Sequence, residues 1–168
     1  MVMGITLTPS YDISQEPSLV DKAIRIKLSG LPPNTTVTIH SKCKVQKNGY
    51  ECLAHYMTNH DGSVDLSKDQ SVGGFYNGVE AMGFIWAMKP SLENKSPYGG
   101  RVILFDVTKQ LKVVINVLPG RIHNLKDLCY SKVPSLLKFQ VTRIYMVPGV
   151  KRIEIKQNGL RGTLFTPS

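Results

Sequence analysis

The chain has 168 residues and carries 21 Lys+Arg against 12 Asp+Glu, a formal charge of +9. That length forms one domain with a self-sufficient core and excludes two full-sized ones, at about 100–200 residues per domain, while 42% apolar and 20% charged residues exclude a disordered or low-complexity chain. Apolar runs such as Met82 to Met88 fall far short of the ~18 residues of a bilayer-spanning helix, so no membrane span is expected.

In chain order, residues 1–9 show neither a basic-then-apolar leader nor an Arg/Ser-rich presequence, which points to an intracellular setting. Ile24, Ile26 and Leu28 alternate with Arg25 and Lys27 and predict a strand, and Ser29 to Asn34 predicts the turn after it. Next comes a longer strand with Val37, Ile39, Ser41, Cys43 and Val45 on one face and Thr36, Thr38, His40, Lys42 and Lys44 on the other. Lys47-Asn48-Gly49-Tyr50 predicts a tight hairpin turn, because Asn-Gly readily takes positive φ, and Glu51 to Thr58 predicts the returning strand. Ser71 to Tyr98 breaks the alternation with glycines and prolines, holds the single tryptophan, and predicts an irregular connection with its own packing. Gln110 to Leu118 restores alternation, with Leu111, Val113, Ile115 and Val117 on one side. A basic excursion from Leu118 to Pro134 follows, with a short helical turn around Asn124 to Cys129. Ser135 to Met146, through Leu137, Phe139, Val141 and Arg143, and Val150 to Lys156 are the last predicted strands. Seven or more short strands separated by turn signals predict an all-β fold, an immunoglobulin-like antiparallel β-sandwich.

The charge is lopsided: residues 1–84 carry 7 basic and 8 acidic side chains, residues 85–168 carry 14 and 4. Lys112, Lys138, Lys151 and Lys156 are the polar alternates of strands with few aromatics between them, which predicts a solvated sheet face and no nucleic-acid binding. No Gly-x-Ser-x-Gly or Gly-x-Cys-x-Gly elbow occurs, so no catalytic nucleophile is assigned. His40, His55, His60 and His123 show no metal-binding spacing, and His55 and His60 are expected in surface or capping roles at the hairpin end. Cys43, Cys52 and Cys129, without Cys-x-x-Cys spacing, read as reduced thiols. Asp61-Gly62, with Asp65 nearby, reads as a turn rather than a calcium loop. Gly73-Gly74 lacks the Lys-Ser/Thr and the helix of a phosphate loop, so no metal or cofactor is expected.

Asp61-Gly62-Ser63-Val64-Asp65-Leu66, followed by the spacing of Gly73, Gly74, Gly78, Met82, Gly83, Trp86, Met88 and Pro90, resembles the N-terminal domain of the acyl-CoA thioesterase / bile acid-CoA:amino acid N-acyltransferase family. Phe105-Asp106-Val107, Val147-Pro148-Gly149 and Leu160-Arg161-Gly162-Thr163 agree in order, so the resemblance covers essentially the whole chain. Phe105 stands where the family commonly has a basic residue, and Ala81 where a proline is common. The resemblance implies a β-sandwich over residues 1–157. Residues 158–168 would then be a linker and the first strand of an α/β-hydrolase catalytic domain that the chain does not include. In the family that second domain performs acyl transfer from CoA thioesters to water or to an amino acid. What remains for this chain is bracing that domain and bordering substrate access, with acyl-CoA as the whole enzyme's substrate and cytosol or peroxisome as its setting. Met82, Phe84, Trp86 and Met88 are then either a core plug or an apolar interface with the catalytic domain, and the basic residues of the second half are candidates for facing CoA phosphates. The alternative reading is a free-standing β-sandwich interaction module.

Overall fold

A computed structural model describes residues 8–95, 102, 104, 106–130 and 133–167. Residues 1–7, Ser96, Tyr98, Phe105, Lys132, Ser168 and the Cys129 side chain lie outside the described residues. In chain order the elements are β1 Ser10–Ile13, β2 Ser18–Leu19, β3 Ile26–Ser29, β4 Thr36–Val45, β5 Asn48–Met57, β6 Val64–Asp65, β7 Ser71–Val72 and β8 Asn77–Gly78. They continue with α1 Gly83–Trp86, β9 Lys89–Pro90, β10 Leu111–Pro119, α2 Leu125–Tyr130, β11 Leu137–Ile144, β12 Lys151–Gln157 and β13 Leu160–Thr166.

Alternating side chains give each long strand one apolar face, and two sheets bury those faces against each other. A six-stranded sheet runs β2-β11-β10-β4-β5-β9 and a three-stranded one β1-β3-β6. Ile26, Leu28 and Val64 of the small sheet meet Val37, Ile39, Ala54, Tyr56, Val113, Ile115, Val117, Phe139 and Val141 of the large one. Register aligns these positions: Ile39 pairs with Ala54 and with Val117, and Ile115 with Phe139. Each fully buried Ile, Leu or Val stabilises the fold by about 1.5–3 kcal/mol. The all-β sandwich expected from the alternation is the observed architecture. Asp61-Gly62 turns the chain as expected, with the Gly62 N–H donating to the Asn59 carbonyl at 3.0 Å.

The hairpin turn falls earlier than Asn-Gly predicts. Val45 pairs with Asn48, so Gln46 and Lys47 make the turn, Gln46 at φ 56°, and Asn48-Gly49 open β5. Gly49 serves a different purpose: a Cβ there would lie 2.6 Å from Ser91 Oγ. Its carbonyl accepts from the Ser91 N–H at 2.9 Å and from Asn94 Nδ2 at 2.8 Å, so the glycine permits a close backbone approach.

Two features lack a period-2 signal. In β1, Tyr11 stacks on Phe139 with ring centroids 4.2 Å apart. β2 runs parallel to β11 and is tied there by Arg143. That side chain is buried with the core-facing set of β11 and donates to Ser18 Oγ at 2.6 Å and to the Lys22 carbonyl. Beside it, the Thr142 N–H donates to Glu16 Oε1 at 2.6 Å.

β12 and β13 form a separate two-stranded ribbon, paired from Lys151–Thr166 to Gln157–Leu160. Residues 160–166 are thus joined to the strand before the predicted boundary at 157. Pairing of Ile153 with Leu164, and of Ile155 with Gly162, gathers Ile153, Ile155, Leu160 and Leu164 on one face. That face is uncovered, with Leu160 73% exposed. The opposite face carries the Arg152–Glu154–Lys156 ion pairs.

Candidate functional site

The glycine pair of the middle segment runs beside β5. The His55 N–H donates to the Gly73 carbonyl at 2.9 Å and the Phe75 N–H to the Leu53 carbonyl at 2.7 Å, bracketing an antiparallel bridge between Ala54 and Gly74. Gly74 sits at φ +103°, and a Cβ there would lie 2.2 Å from the Leu53 carbonyl oxygen. This seam directs the following residues back over the sandwich. Met82 and Phe84 enter the core, Gly83 lies under the Tyr76 ring, and Ser41 Oγ donates to the Phe84 carbonyl. Met88 is half-buried, its sulfur 3.5 Å from Cys43 Sγ. Trp86 is 63% exposed, and Pro90 is exposed on β9, paired with Tyr50. Core-facing and outward-facing residues are therefore divided within one short segment.

The other predicted positions lie elsewhere. Asp106 accepts from the Thr108 hydroxyl at 2.6 Å and from its N–H at 3.0 Å, and the hydroxyl above all holds its carboxyl below the usual range. Pro148 and Gly149 form the turn into β12, Gly149 at φ 96°. Pro148, Thr108 and Arg152 line a cleft of about 420 Å³ at the root of the ribbon. Arg161 and Gly162 are exposed on β13. The predicted residues thus form two groups, one along β5 and one at the ribbon, and do not converge on a single centre.

The outer face of the large sheet departs from expectation. His55, expected like His60 in a surface or capping role, is buried, whereas His60 is exposed and pairs with Asp61 at 2.9 Å. The cause is the excursion after β10, which folds over that face. Thr38 Oγ1 donates to the Gly120 carbonyl at 2.7 Å and accepts from the Ile122 N–H at 3.0 Å. Ile122, Leu125 and Leu128 join Leu53, Leu118 and Phe75 in a second apolar cluster. The spacing Leu118, Ile122, Leu125, Leu128 is the signal that could have revealed this cover.

Under it the histidines have defined partners. The Thr38 hydroxyl gives its proton to Gly120, so it accepts from His55 Nδ1–H at 3.2 Å. Burial, then Arg121 and His123, keeps the His55 pKa below its usual value. His40 Nε2 donates to Glu51 Oε2 at 2.8 Å, and Asn116 Nδ2 lies 3.4 Å from His40 Nδ1. With both ring nitrogens engaged, His40 orders the sheet surface and leaves no nitrogen to act as a base. Burial raises the thiols of Cys43 to about 11 and Cys52 to about 12, which keeps them protonated and unreactive at neutral pH. Among the described residues no three His, Cys, Asp or Glu side chains converge as a metal site.

The His40 hydrogen bond, more than the nearby Lys42, holds the Glu51 carboxyl below its usual 4.5, against the opposing effect of burial. A depressed carboxylate contributes stability above its unfolded pKa and loses it as pH falls through the folded one. Glu51→Gln is therefore expected to lower stability at neutral pH and to flatten the loss below about pH 4.5. Urea unfolding at a series of pH values reads both, and an unchanged acid slope would show that the pair is not coupled to folding.

The family described as "Acyl-CoA thioester hydrolase/BAAT N-terminal region" matches residues 21–157. The chain is 35% identical over 159 residues to bile acid-CoA:amino acid N-acyltransferase of Mus musculus, an alignment covering 89% of the chain and 34% of that relative. It is 33% identical over 168 residues to acyl-coenzyme A amino acid N-acyltransferase 2 of Mus musculus, covering 99% of the chain and 37% of the relative. Acyl-coenzyme A thioesterase 1 of Homo sapiens is 30% identical over 148 residues, covering 88% and 32%. The chain spans about a third of the length of these curated relatives.

Proposed function

Because the chain belongs to the acyl-CoA thioester hydrolase/BAAT N-terminal family, we propose that it is the non-catalytic N-terminal domain of an acyl-CoA thioesterase or acyl-CoA:amino acid N-acyltransferase. It braces an α/β-hydrolase domain and borders the path of the acyl-CoA substrate. The observation that carries this reading is the amphipathic ribbon. A two-stranded sheet with one apolar face is marginal alone and stabilised when that face packs on a core. Ile153, Ile155, Leu160 and Leu164 present such a face, and exposed Trp86 supplies a second apolar contact.

The test is thioester hydrolysis, followed as release of CoA thiol, by this chain and by a version extended through an α/β-hydrolase domain. Only the extended protein is expected to turn over. Ile153→Thr with Leu164→Thr, which keeps a neutral cross-strand pair, should leave the stability of the 168-residue chain within about 0.5 kcal/mol, as for exposed positions, yet lower the activity and melting temperature of the extended one. Turnover by the 168 residues alone would overturn the reading. An extended protein indifferent to the double substitution would favour a free-standing interaction module.

A further inference from the structure

We propose that the cleft beside the β4–β5 turn is a binding site for the phosphate oxyanions of a soluble phosphate ester. The cleft has a volume of about 390 Å³ and is lined by Lys42, Lys44, Lys47 and Lys112, with Glu51 and Glu93 also facing it. Its size lies within the usual range for small-molecule sites, about 300–1,000 Å³.

Alternation turns Lys42 and Lys44 to the outer face of β4. The register of β4 with β10 sets Cys43 against Val113 and Lys42 against Val114, which brings Lys112 to the position adjoining Lys44. Lys47, in the turn, lines the same cleft. Like charges on neighbouring strands destabilise a sheet unless a counter-charge joins them, and none of these four lysines makes an ion pair among the described residues. Glu51 is engaged by His40 and partly offset by Lys42. Counting both carboxylates, the cleft retains a surplus of two positive charges. Lysine acts on phosphate as a point charge, so several converging lysines suit a multiply charged oxyanion.

The cleft is preformed rather than assembled on binding. The Ser91 N–H and Asn94 Nδ2 hold the Gly49 carbonyl at one wall, and His40 holds Glu51, another lining residue. Val114, half-buried and paired with Lys42, supplies apolar surface beside the lysines. That surface favours an ester with an organic moiety over inorganic phosphate. The site does not depend on the domain's proposed place in an acyl-CoA enzyme, although CoA, itself a phosphate ester, meets its chemistry.

The test is an amide NMR titration of the 168-residue chain with pyrophosphate and with adenosine bisphosphate, at ionic strength held constant with sodium chloride. Saturable shifts are expected at Lys42, Lys44, Gly49 and Lys112, with adenosine bisphosphate binding more tightly than pyrophosphate. Lys44→Gln with Lys112→Gln should weaken binding by about tenfold, or roughly 1.4 kcal/mol. Glu93→Gln should tighten it, and Lys151→Gln with Lys156→Gln on the ribbon should change it less than about twofold. Preserved amide dispersion in each variant separates lost binding from lost folding. Shifts scattered over the basic half, or equal weakening by the ribbon variant, would overturn the site. Equal affinity for the two probes would overturn its assignment to an ester. None of these readouts involves thioester hydrolysis, so failure here is distinct from failure of the domain assignment.

Discussion

Phe84→Ala is expected to lower the unfolding free energy by about 3–5 kcal/mol, the usual cost of emptying a fully buried phenylalanine site. Phe84 is 0% exposed and projects from a four-residue helix into the core shared by both sheets. A helix that short does not hold itself together, and α1 has no side-chain N-cap. Its position rests on Phe84, on Met82 and on the Ser41 hydroxyl bonded to the Phe84 carbonyl. Truncation therefore opens a cavity and also loosens the helix. Urea denaturation followed by fluorescence of Trp86, the single tryptophan, measures the change from the affected element itself. Because Trp86 is 63% exposed, Trp86→Ala, followed by circular dichroism, should cost no more than about 0.5 kcal/mol. Equal losses from the two substitutions would contradict the division of this segment into core-facing and outward-facing halves.

Gly74→Ala should be nearly as damaging, on the order of 3–4 kcal/mol, by a different route. Its positive φ costs an L-residue about 1–3 kcal/mol, and the new methyl would meet the Leu53 carbonyl oxygen at 2.2 Å and Ala54 Cα at 2.9 Å. Both obstacles are backbone, so no rotamer change relieves them. The segment has to part from β5, losing the His55–Gly73 and Phe75–Leu53 hydrogen bonds at about 0.5–1.5 kcal/mol each. Hydrogen exchange should show the His55 and Phe75 amides accelerating more than those of β10. Gly78→Ala is the control: its φ is +88°, but a Cβ there meets nothing within 4 Å, so only backbone strain of about 1–2 kcal/mol is expected. Parity between the two substitutions would show that the seam against β5 is dispensable.

What was legible in the sequence follows from how far each signal reaches. Val37 and Ile39, or Val113, Ile115 and Val117, announce a buried face through their own alternation, and all are buried. The spacing from Gly73 to Pro90 was specific enough to identify the family although its local structure is irregular. Positions decided by distant chain were misread. Asn48-Gly49 has the composition of a turn, but Gly49 is needed for the approach of Ser91, forty-two residues on. His55 sits on the polar side of its strand, and the excursion that folds back onto Thr38 through Gly120 and Ile122 lies beside it. β1 was invisible because its side chains are mostly exposed and its anchor is Tyr11 stacked on Phe139. At the candidate site, the separation of the predicted residues into a β5 seam and a ribbon root was not legible, because strand pairing determines it.

The strand order β11-β10-β4-β5 also sets a schedule for the chain as it emerges from the ribosome. The β4–β5 hairpin is complete at Met57, but the strand that covers its other edge begins at Leu111, and the next ends at Ile144. At roughly 5–20 residues per second, several seconds pass in which Val37 and Ile39 lack their β10 partners Pro119 and Val117. Until then the nascent hairpin offers a free β4 edge to other chains. Lys42 and Lys44, lying along that edge, place positive charge where such pairing would begin.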